Sequence, residues 1–257
     1  MTQDCPTATS DIRISPATCE TSTLPLPVCG DEPHLTTCPI GAFIFDVDGV
    51  LADTATLHTE AWRRLAKEEG LDFDEAAANA LRGLSREDSL RRLLHGREVP
   101  ADRFTELLDR KNGYYLGELK HLSERVVLPG VRLLLAGLRD LGIKLAAASL
   151  SRNARAVLLR TGLVSNFDVI VDGNDLEESR SDLNRFHLIA RALRVDPARC
   201  VVVEDSTAGI AAARAAGMRS VGVGDYERLC AATMVLDSLR GTDAGTLVYW
   251  LGHRNHP

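Results

Sequence analysis

The sequence predicts a doubly wound parallel α/β sheet with a small all-helical cap inserted after its first strand. Three observations carry this. Phe43-Ile44-Phe45 runs straight into Asp46-Val47-Asp48-Gly49, the pattern of a strand buried on both faces that ends in a carboxylate pair. From residue 131 to residue 223, short apolar runs alternate with helical patterns, the rhythm of a parallel sheet with crossover helices. Between them, residues 55–125 carry helical periodicity and no strand.

The elements follow in order. The first strand is expected at 40–47. From Leu57 to about Leu122 the chain reads as helical, with Trp62, Leu65 and Ala66 on one face of the first helix and breaks at Gly70, Gly83, Gly96 with Pro100, and Gly113. After Pro129-Gly130 a helix over 131–141 ends at Gly142, and the strand Ile143–Ala148 follows. A helix over 153–161 ends at Gly162, ahead of a strand near Asp168–Val171. A helix over 184–193 leads to the strand Cys200–Val203, and a helix over 207–216 ends at Gly217 before Ser220–Val223. The expected division is a core over 40–54 and 126–240, a cap over 55–125, a Thr/Ser/Pro/Cys-rich extension over 1–39 and a tail over 241–257. The extension has no periodicity and too little apolar surface to offset its ordering entropy, so disorder is expected there.

Composition narrows the function. Hydrophobic residues at 45% and charged residues at 26% are those of a soluble globular chain. The net charge is −6, of which −4 lies in residues 1–39, so the body carries no basic face for nucleic acid. No apolar run approaches the ~20 residues of a membrane span. Cys5, Cys19, Cys29 and Cys38 lie in the extension, and only Cys200 and Cys230 in the body. No CxxC pair suggests zinc, and a body with two cysteines suits a reducing cytoplasm. The extension lacks a basic segment followed by an apolar one, so no signal peptide is expected. A cytoplasmic monomer acting on a small molecule is the expectation.

The chemistry gathers at strand ends, where open α/β sheets bind ligands. Asp46 and Asp48 can divide two tasks, one attacking or holding a metal, the other moving a proton. Ser149 ends Leu145-Ala146-Ala147-Ala148 and can donate to a phosphate oxygen, although a lone serine after a strand is more often a helix N-cap. Glu204-Asp205 follows the apolar Cys200-Val201-Val202-Val203. A bound Mg²⁺ would explain an acidic pair at a crowded sheet mouth. The helix that begins after it presents an N-terminus suited to anions.

Phe45-Asp46-Val47-Asp48-Gly49-Val50-Leu51-Ala52-Asp53-Thr54 resembles the DxDGxxxDT signature of the haloacid dehalogenase (HAD) superfamily of phosphoryl-transfer enzymes. The cap narrows the resemblance to the β-phosphoglucomutase-like family. His58 and Trp62, Arg82-Gly83-Leu84-Ser85-Arg86-Glu87-Asp88-Ser89, Arg110-Lys111-Asn112 and Ser149-Leu150-Ser151-Arg152-Asn153 carry it, over residues 40 to about 224. The resemblance implies that Asp46 is the nucleophile, forming an aspartyl phosphate, and that Asp48 is general acid and base. It implies Mg²⁺ on Asp46, the Asp48 carbonyl, Glu204 and Asp205. It also implies that Arg86 grips a distal phosphate, with Gly83, Leu84 and Ser89 beside it in the cap. Ser151, Arg152 and Asn153 would hold the other side, while Lys111 and His58 couple cap closure to Asp48.

The sequence departs from the family at its third motif, where a Lys-Pro-x-Pro-Asp frame is the pattern. Here Ser179-Arg180-Ser181-Asp182-Leu183-Asn184-Arg185-Phe186 stands, with Phe186 holding the register and Arg180 in the lysine's place. Arginine keeps the charge but is a larger planar fork. The function implied is a Mg²⁺-dependent mutase that interconverts β-D-glucose 1-phosphate and glucose 6-phosphate through a 1,6-bisphosphate. The alternatives are a phosphatase or mutase on another sugar or cyclitol phosphate, and a catalytically impaired relative that binds sugar phosphate.

Overall fold

Every parallel strand ends on the side of the molecule where the acidic residues collect. The computed structural model describes residues 12–13, 40–175 and 182–253, the side chains of 12–13 and 182–184 excepted. The parallel strands are β2 (Ala42–Asp46), β3 (Lys144–Ala148), β4 (Val169–Val171), β5 (Cys200–Glu204), β6 (Arg219–Val223) and β7 (Met234–Leu236). With β1 (Ile12–Arg13), which pairs antiparallel with Leu236 and Val235, they form one sheet in the order β1-β7-β6-β5-β2-β3-β4. The chain leaves β2 toward β3 and β4, then returns to the other side of β2 for β5. The reversal falls between β2 and β5, which opens a crevice at their carboxyl ends.

Alternation along β2 sorts the two faces. Phe43 and Phe45 point to one side, where they pack with α5 (Val131–Asp140), α6 (Ala154–Arg160) and α10 (Ala244–Gly252). Ala42 and Ile44 point to the other, with Ala146, Ala148 and Val202, against Phe186, Ile189, Ala190 and Leu193 of α7 (Asp182–Leu193) and Ala212 and Ala213 of α8 (Thr207–Ala215). The period of two places consecutive strand residues in different cores.

Between β2 and β3 lie α1 (Ala55–Glu68), α2 (Glu75–Leu81), α3 (Arg86–Leu93) and α4 (Ala101–Leu119). They enclose an apolar cluster of their own, built on Trp62, Leu65, Leu81, Leu90, Leu93 and Leu107. The two connecting strands of chain run side by side. Asp53 N donates to Val126 O at 2.8 Å and Leu128 N to Leu51 O at 3.0 Å, a narrow joint between cap and core, beside which Ala61, Tyr115 and Leu119 of the cap pack into the core cluster.

Three sequence expectations are corrected, and one stretch without an expectation is filled in. Gly113 does not break the cap, because α4 runs through it and buries Leu107, Leu108, Lys111, Tyr115 and Leu119 on one face. That burial outweighs the roughly 1 kcal/mol a helical glycine costs. Residues 244–252 of the expected tail are α10, capped by Asp243 accepting from Thr246 N at 2.7 Å, with Leu247 and Leu251 buried. Residues 226–236 add the short α9 (Tyr226–Leu229) and β7, which the repeat did not predict. Within the extension, Ile12–Arg13 joins the sheet edge. The other extension residues, with their four cysteines, and Arg180 lie outside the described residues.

Candidate active site

The site forms where β2, β3 and β5 end and the cap covers them, around a cavity of about 120 Å³. Asp46 ends β2 and Glu204 ends β5, so the reversal of strand order sets these carboxylates side by side. One oxygen each from Asp46, Glu204 and Asp205 lies within 4.8 Å of the others. Burial, then the charges of Glu204, Asp48 and Asp205, push the Asp46 carboxyl well above its ordinary value. Burial and Glu204 likewise lift Asp205 to about 6, against the pull of Arg82. Three crowded carboxyls with oxygen donors alone fit a hard divalent cation such as Mg²⁺.

Glu204 is held from two directions. Ser206 donates to Oε2 through its N–H at 3.1 Å and its hydroxyl at 2.8 Å, and Arg185 Nη2 donates to Oε1 at 3.4 Å. Ser206 also caps α8 by accepting from Gly209 N. A Cβ on Gly209 would lie 2.0 Å from the Glu204 carboxyl carbon, so only glycine leaves the carboxylate its seat. Gly209→Ala is expected to destabilise the fold by about 1–3 kcal/mol, read by urea unfolding. An unchanged midpoint would show that the carboxylate has room elsewhere.

Asp48 sits in a polar ring. Thr54 Oγ1 donates to its Oδ1 at 2.5 Å and Ser149 Oγ to its Oδ2 at 3.3 Å, while His58 Nε2 stands 3.5 Å from Oδ1. Thr54 precedes α1 but forgoes side-chain capping, its hydroxyl being directed to Asp48. Ser149 is not a cap either, because α6 begins after Asn153. Burial alone would raise the Asp48 carboxyl; His58, Thr54 and Lys111 outweigh it and leave it lowered.

Lys111 comes down from α4, buried, with Nζ 2.7 Å from His58 Nδ1 and 5.0 Å from the centre of the Trp62 ring. His58 stacks on Tyr115 at 4.0 Å. A lysine donating to Nδ1 leaves the imidazole proton on Nε2, facing Asp48. Burial first, then Arg86, bring the Lys111 ammonium down to about 7. Between pH 7 and 10 the folded protein has lost this proton while the unfolded chain, with its ordinary value of 10.5, keeps it, so stability rises with pH across that range. Lys111→Met is expected to gain stability relative to wild type as pH falls from about 9 to about 6. Equal differences in melting temperature at both values would contradict this.

The cavity brings together nearly all the residues expected from sequence. Trp62, Gly83, Leu84, Arg86, Ser89 and Lys111 line it from the cap, and Ser149 and Ser151 from the core. Arg152 and Asn153 fall instead on the seam between the two bodies. Arg152 Nη2 is 3.2 Å from Glu87 Oε1, and Asn153 Nδ2 donates to Asn112 Oδ1 at 2.9 Å. Gly83 also meets the core here: a Cβ on it would lie 2.2 Å from Ser206 Oγ, and its φ of +71° is one that side chains rarely adopt. Arg82 Nη1 completes the closure, 3.0 Å from Asp205 Oδ2.

Residues 40–217 match the model of the haloacid dehalogenase-like hydrolase family. The chain belongs to this family. It is 39% identical over 199 residues to a beta-phosphoglucomutase of Bacillus subtilis strain 168, covering 76% of this chain and 88% of that one. It is 34% identical over 184 residues to a phosphorylated carbohydrates phosphatase of Thermotoga maritima, covering 70% and 83%. Among solved structures it is similar to a beta-phosphoglucomutase from Clostridium difficile, with a TM-score of 0.78, 36% identity and coverage of 82% and 97%. The chain is thus an enzyme of the HAD superfamily.

Three residues of this HAD site escaped the sequence reading as candidates. Thr54 closes the DxDGxxxDT motif, and Arg82 directly precedes Gly83. Arg185 lies in the third-motif segment beside Phe186 but was passed over for Arg180: Phe186, Ile189, Ala190 and Leu193 define the buried face of α7, and a charge one position off that face reads as solvent-exposed.

Proposed function

We propose that the protein is a Mg²⁺-dependent sugar-phosphate mutase, interconverting β-D-glucose 1-phosphate and glucose 6-phosphate. The observation that carries this is the closed cap with a hydrogen-bonded chain, Lys111 to His58, running from it to Asp48. An aspartyl phosphate open to water is hydrolysed, whereas a mutase must return the phosphoryl group to a second hydroxyl of the same sugar. Arg152–Glu87, Asn153–Asn112 and Arg82–Asp205 join the cap to the core over the strand ends, the closure that a mutase needs to keep water from the aspartyl phosphate.

The residues divide the work as follows. Phosphorylated Asp46 gives its phosphoryl group to the 6-hydroxyl of β-glucose 1-phosphate, and Asp48 takes that hydroxyl's proton. The 1,6-bisphosphate reorients, and Asp46 then attacks the phosphorus on C1. The C1–oxygen leaves as a hydroxyl after Asp48 returns the proton, which gives glucose 6-phosphate and restores the phosphoenzyme. His58 and Lys111, borne on cap helices, hold Asp48 ionised for the first half of this cycle. Arg86 lines the cavity from the cap, where a guanidinium suits the distal phosphate. Asp46, Glu204 and Asp205 would hold Mg²⁺, which when bound supplies positive charge against the transferring phosphoryl group.

The second reading is a phosphatase, favoured by the similarity to the Thermotoga maritima phosphatase. Parallel assays of glucose 6-phosphate and free phosphate, with β-glucose 1-phosphate and a trace of the bisphosphate, separate them. Glucose 6-phosphate in large excess supports the mutase, and phosphate matching all substrate consumed supports the phosphatase.

A further inference from the structure

Arg185 is a buried cation for which the family resemblance provides no role. It lies in the first turn of α7, which packs on β2, β3 and β4, and it is 3% exposed. Its Nη2 reaches Glu204 Oε1, its Nε has no partner among the described residues, and its Cζ rests 4.7 Å over the ring of Phe186. It lines the same cavity as Asp46, Asp48 and Asp205. A guanidinium withdrawn from water needs compensating charge and partners for its donors. The carboxylate cluster supplies the charge, but Glu204 accepts from only one end of the fork.

We infer that Arg185 is a positioning residue of the phosphoryl site: it fixes Glu204 from the side opposite Ser206, and its remaining donors receive the oxygens of a phosphoryl group. The inference rests on the reading of Asp46 as phosphoryl acceptor. Its chemistry is that of a planar fork matched to a carboxylate on one edge and a phosphate on another. The resemblance places a cation at residue 180. Arg185 places one more than a helical turn further along, at a position where the core-facing pattern of α7 calls for no charge. Because Arg185 and a divalent cation share Glu204, removing the guanidinium should act on cations and anions in opposite directions. A residue that merely supports packing would weaken both.

The test is titration calorimetry of the full chain with MgCl₂, and with inorganic phosphate in saturating Mg²⁺. Arg185→Gln is expected to bind Mg²⁺ roughly three-fold tighter and phosphate about ten-fold more weakly. It should lower kcat more than KM. Arg185→Lys should restore Mg²⁺ affinity to near wild type and phosphate affinity in part. Replacing the exposed Arg191 on the same helix should alter neither. Phosphate affinity unchanged in Arg185→Gln, or both affinities falling together, would overturn the inference. A second measurement stands if the glutamine variant does not fold. The wild-type guanidinium resonance of Arg185, assigned by its loss in Arg185→Lys, should shift when phosphate is added with Mg²⁺, and its failure to move while phosphate binds overturns the assignment. A wild-type protein that binds no phosphate in Mg²⁺ removes the underlying reading of the site, an outcome distinct from these.

Discussion

Asp46→Asn is expected to abolish turnover, by about 10⁴-fold or more, because the amide cannot accept a phosphoryl group. Its second effect has the opposite sign. Burial and three neighbouring carboxyls push the Asp46 carboxyl well above its ordinary value, so in the absence of metal the charge at this position works against the folded state. Removing it should stabilise the Mg²⁺-free protein by about 1 kcal/mol, the usual scale of relief when a functional group under strain is replaced. Added Mg²⁺ should raise the melting temperature of wild type more than that of the variant. Thermal melts with EDTA and with Mg²⁺ check this. A variant that retains turnover, or that melts lower than wild type in EDTA, would contradict the assignment of Asp46 to the centre of the cluster.

Asp48→Asn is expected to slow the sugar reaction by about 10²–10⁴-fold, the usual contribution of a general acid–base group. The size should depend on the leaving group. A sugar alkoxide needs a proton as it departs, whereas nitrophenolate is a stable anion and does not. Phosphorylation of the variant by p-nitrophenyl phosphate should therefore persist, seen as a burst of nitrophenolate, while conversion of β-glucose 1-phosphate is lost. Equal losses with both donors would mean that Asp48 organises the site rather than moving a proton. The side chains that surround Asp48, Thr54 at 2.5 Å and Ser149 at 3.3 Å, are already arranged to hold a carboxylate in one orientation.

The strand ends that carry the acidic residues were legible because strands buried on both faces are written as unbroken apolar runs. Phe43-Ile44-Phe45 and Val201-Val202-Val203 announce themselves, and a carboxylate at the end of such a run has few other reasons to be there. The crossover helices were legible from their glycine stops. What was lost was short or interrupted. β7 is three residues, too brief for alternation to register, and β1 is two. α10 offered nine residues with glycine near both ends, and its buried Ala244, Leu247 and Leu251 make a face only against α5, where Gly137 lets Ala244 approach. Gly113 misled in the other direction, since tertiary packing along α4 overrides a local breaker.

Within the site, residues named by motif were found lining one cavity, because motif spacing encodes which strand or cap helix delivers them. The relay from Lys111 through His58 to Asp48 depends on the folded cap, which brings Lys111 to 2.7 Å from His58 across more than fifty positions and leaves His58 3.5 Å from Asp48. Arg152 and Asn153 were expected at the substrate and lie on the seam between cap and core. Arg185 was hidden by the same amphipathic rule that identified its helix.

The proposal that the protein moves a phosphoryl group between two hydroxyls of one sugar, with water excluded, is tested most directly in ¹⁸O-water. Purified protein with Mg²⁺, β-glucose 1-phosphate and a trace of the 1,6-bisphosphate is followed by mass spectrometry of the products. The account predicts that glucose 6-phosphate accumulates with no ¹⁸O in its phosphoryl group and with little free phosphate beside it. Free phosphate carrying one ¹⁸O as the main product would show that water reaches the aspartyl phosphate, and would contradict the mutase.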